Sequence, residues 1–311
     1  MINGIINIYK EKGFTSHDVV AKLRGMVRQK KIGHTGTLDP DAEGVLPVCL
    51  GKATRLCDML TDKDKTYQAV LLLGTATDTQ DITGTILAKS DTAHVSGAEV
   101  MDCINNYIGE YEQLPPMYSA LKVNGKKLYE LAREGREVER KTRKVVIHNI
   151  KILDIALPRV RMEVSCSKGT YIRTLCHDIG ESLGCGGCME SLLRTRVGCF
   201  SLGDSYTLGR LAEILANEGL ARVLTPVDQM FADLKKVTVL PGTEALAYNG
   251  NEIQYNHISE QAEYMDGEPV RLYDVQGHFI GVFRYCSDNA NHLKGTFHVE
   301  KMFLDHEEII R

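Results

Sequence analysis

Residues 145–166 read VVIHNIKILDIALPRVRMEVSC, two apolar runs broken at Leu157-Pro158. In the second run Val160, Met162, Val164 and Cys166 alternate with Arg161, Glu163 and Ser165. Successive side chains of a strand face opposite ways, so this alternation predicts a half-buried strand paired antiparallel with residues 145–155. Further strands are expected over residues 2–9, 45–50, 67–74 and 189–200, with a polar turn region over 78–84. Between them lie helical signals. Ser16 is expected to cap a helix whose Val19, Val20, Leu23, Met26 and Val27 share one face. Ser96 and Glu99 form a capping box opening a helix that ends near Gly109. A short helix over 127–134 stops at Gly135, another runs from Gly169-Thr170 to Leu183, and a last one covers 208–217. Hairpin-like pairs interleaved with helices imply an α+β fold built on a mixed, largely antiparallel sheet. Near residues 231–237 the texture changes to short β-like runs at 236–240, 268–273, 279–285 and 296–303. The expected division is a catalytic unit over 1–232 and a small β-rich unit over 236–305.

The chain has 311 residues, 43% hydrophobic and 25% charged, close to globular averages. No apolar run approaches the ~20 residues that span a bilayer, and the first residues lack the pattern of a signal peptide. Nine cysteines without regular spacing fit reduced thiols in a cytoplasmic protein. The net charge of −4 argues against wholesale coating of nucleic acid, yet it hides local basic runs. Lys22, Arg24, Arg28, Lys30 and Lys31 form one; residues 122–144 carry nine Lys and Arg against four Glu. Such runs are ordinarily solvated helix faces, but they also suit phosphates.

Several strings resemble known chemistry and fail on inspection. Gly44 followed by Gly51-Lys52 has the wrong gap for a phosphate-cradling loop, and Ala53 stands where Ser or Thr would hold magnesium. Ser119-Ala-Leu-Lys122 and Ser287-Asp-Asn289 match two motifs of acyl-serine enzymes, but the third is reversed as Lys294-Gly-Thr and nearly abuts the second. Cys185-Gly-Gly-Cys188 has zinc-ligand spacing without a second pair, so no metal site is expected.

The stretch that carries chemistry is KIGHTGTLDPDAEGVLPVCLG, residues 31–51. Proline after Asp39, with Gly33 and Gly36 upstream, suggests a carboxylate held stiffly. No second carboxylate pairs with it clearly, which suits nucleophilic attack or a single proton transfer. An aspartate in a water-poor pocket needs a cation to stay ionised. Arg173, in the first turn of the helix opened by SKGTYIR, is the candidate, with Tyr171 in the same turn. The plain alternative is a helix-surface arginine, and for Tyr67 an ordinary half-buried strand tyrosine.

Six collinear segments decide between these readings. They are TSHDVVAKLR, GHTGTLDPDAEGVLPVCLG, KTY ending at Tyr67, LPPMYSALKVNGKKLYELAR, CSKGTYIRTLCHDIG and SLLRTRVG ending at Gly198. Together they resemble the TruB family of tRNA pseudouridine-55 synthases over nearly the whole chain, and the C-terminal unit resembles the PUA-like module of these enzymes. The resemblance implies a pseudouridine-synthase fold and an isomerase that breaks the N1–C1′ bond of a uridine, turns the base and rejoins it through C5. It implies Asp39 as the reacting carboxylate, Arg173 as its partner and Tyr67 as the base-stacking residue. It further implies that His34, Tyr171 and Leu192 contact the substrate. Whether Asp39 attacks C1′, attacks C6 or removes a sugar proton is left open. No cofactor is expected, since the reaction is an isomerisation. The implied partner is the T-stem-loop of tRNA, gripped by a thumb-like insertion over 113–140, with no membrane, guide RNA or obligatory protein partner and a monomeric state. Two alternatives stand beside it: a guide-dependent relative, and an RNA-binding or RNA-folding protein without essential catalysis. The chain departs from the family at Glu11, Cys188 and Cys199, where proline, histidine and proline are common.

Overall fold

The computed structural model describes residues 1–123, 125–288 and 291–304, with backbone alone for 288 and 291–294. The expected end of the second unit at 305, Asn289 of the acyl-serine string and Asn124 of the insertion lie outside the described residues.

The chain begins β1 (Gly4–Lys10), α1 (Ser16–Val27), β2 (Ile32–His34), β3 (Glu43–Leu50), α2 (Cys57–Thr61) and β4 (Lys65–Leu73). A small hairpin, β5 (Thr75–Thr77) and β6 (Ile86–Lys89), leads to α3 (Gly97–Asn105) and β7 (Gly109–Gln113). The insertion holds β8 (Lys122–Val123), β9 (Lys126–Lys127) and α4 (Leu128–Arg133). Then come β10 (Arg143–Ala156), β11 (Arg159–Cys166), α5 (Ile172–Ser182), β12 (Gly187–Val197), β13 (Phe200–Ser201) and α6 (Leu208–Asn217). The last part contains β14 (Lys235–Thr238), α7 (Glu244–Tyr248), β15 (Ile253–Gln254), β16 (Pro269–Tyr273), β17 (Phe279–Asp288) and β18 (Asn291–Met302).

The hairpin read from residues 145–166 is β10–β11, paired antiparallel with Ile150 opposite Val164. It sits in a nine-stranded sheet ordered β1-β3-β12-β4-β11-β10-β7, with β2 added to β3 and β13 to β12. Its pairings are antiparallel except β12 with β3, which is parallel over Leu193–Arg194 against Glu43–Gly44. The mixed, largely antiparallel α+β fold is therefore present. A five-stranded sheet ordered β14-β16-β17-β18-β15 forms the C-terminal part around its own core, including Val237, Leu272, Phe283, Tyr285 and Phe297. Phe279 and Phe303 of this part pack with Phe231 into a cluster shared with Ile5, Val45, Cys49 and Val227. The Tyr273 hydroxyl also donates to Asp228 at 2.9 Å.

The long sheet forks at β3. Its carboxyl end pairs with β2 through Val48–Leu50, and its amino end with β12 through Glu43–Gly44. Pro47 lies between these two pairings on one edge of β3 and opposite Asn7 of β1 on the other. At Gly44 the two backbones nearly touch: φ is +105°, and a Cβ would lie 2.2 Å from the Arg194 carbonyl oxygen. Residues 35–42, which carry Asp39, emerge at this fork.

One cap differs from expectation. Thr15, not Ser16, is the N-cap of α1, because Asp18 three residues later completes a capping box with it. Ser16 is buried and serves the loop instead.

Candidate active site

The loop that holds Asp39 is pinned at four points. The Thr35 N–H and hydroxyl both donate to the Pro47 carbonyl at 3.2 Å. The Leu38 N–H donates to the Ser16 hydroxyl at 2.9 Å. The Gly13 N–H donates to the Pro40 carbonyl at 2.9 Å. The fully buried Lys10 ammonium donates to the carbonyls of Glu11, Pro40 and Ala42 at 3.2, 3.0 and 2.5 Å. Burial pushes the Lys10 amine down to about 8, and three backbone acceptors stand where a carboxylate would ordinarily be. Stiffness around Asp39 thus comes from Lys10 and Ser16 as well as from the proline and glycines.

Arg173 is no surface residue. It is 6% exposed on the first turn of α5, and its guanidinium reaches four groups. Nε meets Asp39 Oδ2 at 3.0 Å and Nη2 donates to Oδ1 at 3.4 Å, a two-point grip on the carboxylate. Nη1 donates to the Thr79 carbonyl at 3.1 Å and lies 3.5 Å from Asp81 Oδ2. Nη2 also donates to the Tyr118 carbonyl at 2.8 Å. The Asp39 side chain keeps an open face, 42% exposed, through which a substrate can reach it. Surrounding protein still removes enough water to push its carboxyl above the usual carboxylate range. The Arg173 charge works against this rise and Asp81 adds to it. The arginine opposes the effect of burial without cancelling it.

Tyr67 lies on β4 and is buried with Leu38, Ala42 and Leu192 in one apolar cluster. Burial raises its phenol, and the buried Arg194, hydrogen-bonded to it, pulls the other way. Leu192, on β12, stands opposite Ala69 of β4, two residues from Tyr67. Tyr171 is the N-cap of α5, two residues before Arg173. His34 ends β2; its Nδ1 is buried without a hydrogen-bond partner, and burial lowers its pKa, leaving a neutral imidazole near pH 7. Asp39 and Arg173 are therefore brought into direct contact, Tyr67 and Leu192 pack in the apolar cluster with Leu38 and Ala42 of the Asp39 loop, and Tyr171 opens the helix that carries the cation.

Four participants are not visible in the sequence. Asp81 shares Arg173 with Asp39, but it lies in a stretch that reads only as a polar turn. Gln80 beside it adopts φ 63°, which non-glycine residues seldom do, and its side chain accepts from Thr174 of α5 at 2.7 Å. Arg194 donates through Nε to the Val45 carbonyl at 2.7 Å and through Nη2 to Gly36 at 3.4 Å, joining β12 to the fork. Lys10 reads in the sequence only as the neighbour of Glu11. The cysteines of the zinc-like string, Cys185 and Cys188, are buried free thiols.

This geometry can be set against known proteins. Residues 24–172 match the model of the TruB family pseudouridylate synthase N-terminal domain, and residues 173–232 match that of the tRNA pseudouridylate synthase B C-terminal domain. The chain belongs to the TruB family. Among its relatives, a protein named tRNA pseudouridine synthase B from Lachnoclostridium phytofermentans is 50% identical, the match covering 97% of this chain and all of that one. Another of that name from Clostridium perfringens is 44% identical over 90% of this chain and 94% of its own length. A TruB-like fold is also seen in a solved H/ACA RNP bound to a substrate RNA containing 2′-deoxyuridine. There the TM-score is 0.71 at 26% identity, covering 98% of this chain and 86% of that chain. Among the described residues, no helix of this TruB-family chain is long and apolar enough to cross a membrane.

Proposed function

We propose that this protein isomerises uridine-55 in the T-loop of tRNA to pseudouridine, with Asp39 as the reacting carboxylate. The observation that carries the reading is the two-point contact of buried Arg173 with an aspartate that keeps one face open, in a chain half identical to a named tRNA pseudouridine synthase B. A uridine stacked inside folded RNA is unreachable, so it must be extruded at a cost of a few kcal/mol. Stacking on the Tyr67 face returns roughly 1–3 kcal/mol of that. Leu192 supplies an apolar wall, while His34 and Tyr171 hold the flipped nucleotide. Asp39 then acts on it, the N1–C1′ bond breaks, the uracil turns, a C5–C1′ bond forms, and the proton lost from C5 is matched by one gained at N1. Atoms and electrons balance within the substrate, so no cofactor enters. The test is purified protein on an unmodified tRNA transcript, with pseudouridine mapped by primer extension over its carbodiimide adduct. Product at position 55 from the protein alone supports the reading; its absence, or a need for added guide RNA or partner proteins, overturns it.

Residues 1–232 are assigned to catalysis, with the insertion over 113–140 as a thumb, and 236–305 to a PUA-like RNA-binding unit. The same reading takes the protein as a monomer working in the cytoplasm without guide RNA, and the basic surface of its own insertion supports the stand-alone form. Lys127 and Arg133 of the insertion both lie 5.4 Å from the Tyr129 ring centre, and Lys126 pairs loosely with Glu134 at 3.5 Å. Neutralising Lys126, Lys127 and Arg133 together should weaken binding to all tRNAs alike. The slope of log affinity against log salt should fall by roughly 0.7–0.9 for each phosphate that no longer meets a cation. Binding measured across a salt series checks this, and an unchanged slope places the RNA backbone elsewhere.

A further inference from the structure

We propose that Gln113 is a positioning residue for the reaction, holding Tyr171, and through it the start of the Arg173 helix, in register with Asp39. The proposal rests on the pseudouridine-synthase reading above.

Gln113 closes β7 and is 1% exposed. Its side-chain amide pairs with both backbone groups of one residue: Nε2 donates to the Tyr171 carbonyl at 2.9 Å, and Oε1 accepts from the Tyr171 N–H at 2.7 Å. This is the pairing of two peptide groups in a ladder, made by a side chain. It falls on the N-cap of α5, where no side-chain cap is present and a tyrosine cannot supply one. Two residues on, Arg173 reaches Asp39. The segment after Gln113 crosses the same helix end. Arg140 Nη1 donates to the Pro115 carbonyl at 2.9 Å, and the Tyr118 carbonyl accepts from Arg173 Nη2 at 2.8 Å. Residues 113–118 therefore form a strap fastened to α5 at Tyr171 and Arg173, and they lead directly into the basic insertion. A buried amide with both ends used on one turn tolerates no loss of either bond without a shift of that turn.

Gln113→Glu keeps the size and the acceptor for the Tyr171 N–H. Ionised, its carboxylate has no hydrogen for the Tyr171 carbonyl; protonated, it has one. The titratable and charged groups around it are Tyr111 on its own strand, hydrogen-bonded both to the Gln113 side chain and to Asp178 of α5, its cross-strand partner Arg143 on β10, and Arg173 two residues beyond Tyr171. Single-turnover rates and tRNA binding are measured for wild type, Gln113→Glu and Gln113→Met from about pH 5.5 to 8.5, a window that brackets protonation of a buried carboxyl. Rates are taken as ratios to wild type at each pH, and Gln113→Glu is read against Gln113→Met, because a displaced Arg173 raises the Asp39 carboxyl in both variants alike. The Gln113→Glu ratio should climb as pH falls, while Gln113→Met stays down roughly tenfold or more and does not climb. Both should bind tRNA within about twofold of wild type, the signature of a defect in positioning and not in uniform binding. A pH-independent Gln113→Glu ratio, a Gln113→Met rate equal to wild type, or binding lost in step with rate would overturn the proposal. If Gln113→Met fails to fold, the Gln113→Glu ratio decides alone. Wild-type protein that makes no pseudouridine would instead remove the reading on which the proposal stands.

Discussion

Asp39→Asn is expected to abolish pseudouridine formation while leaving tRNA binding near wild type. The amide has the size of the carboxylate but neither its charge nor its nucleophilicity, so turnover should fall roughly ten-thousandfold or more. The fold should survive because the residues that shape the loop do not use the Asp39 side chain. Lys10 holds the carbonyls of Pro40 and Ala42, and Ser16 holds Leu38. Arg173 would keep Asp81 at 3.5 Å and the carbonyls of Thr79 and Tyr118, so its charge is not stranded. The check is single-turnover assay beside equilibrium binding. Pseudouridine at an appreciable rate in this variant would move the reacting group elsewhere, and lost binding would make Asp39 a structural residue.

The second large effect concerns Arg173. Burial already raises the Asp39 carboxyl, and the arginine charge is the main opposing influence. Arg173→Met removes that influence and leaves Asp81 pushing the same way as burial. The carboxyl must then rise further, since the adjacent cation that opposed burial is gone. Only the ionised form reacts, so the acid limb of the pH–rate profile should move to higher pH. Below the shifted pKa the rate falls roughly tenfold per unit. Activity at pH 7 should drop severely and recover in part as pH rises. Arg173→Lys separates charge from geometry. It keeps a cation, so its acid limb should stay near the wild-type position. An ammonium has three hydrogens and no planar fork, and Arg173 serves two carboxylates and two carbonyls, so the plateau should be low at every pH. Superimposable profiles for wild type and Arg173→Met would sink the pairing as a functional one.

Much of the framework was legible because it depends on local signals. The alternation in residues 160–166 required a strand facing the core on one side, and β11 is that strand. The helix expected over 208–217 has those bounds, with Thr207 as its cap. The Ser96 capping box was readable from two residues. The misplaced cap of α1 had a readable signal too, since Asp18 stands three residues after Thr15 whereas Val19 stands three after Ser16. What stayed hidden were contacts made across long separations. Asp81 sits in a stretch of Thr, Gln and Asp that any exposed turn could contain, and only folding brings it to an arginine on α5. Lys10 and Arg194 read as ordinary strand cations, because their partners are carbonyls that every residue possesses. The Asp39–Arg173 pair was itself legible only through collinear resemblance, as spacing alone favoured a surface arginine.

A methyl group at Gly44 would sit 2.2 Å from a backbone oxygen of Arg194, and backbone cannot step aside as a flexible side chain can. β3 and β12 would have to part. One of them continues from the loop of Asp39, and the other carries Leu192 and Arg194. A single hydrogen-to-methyl exchange, at a position that touches no reacting atom, should therefore rank among the most disabling changes this chain can inherit. Across variants arising over generations, intolerance would mark where two backbones meet as sharply as where a bond is broken.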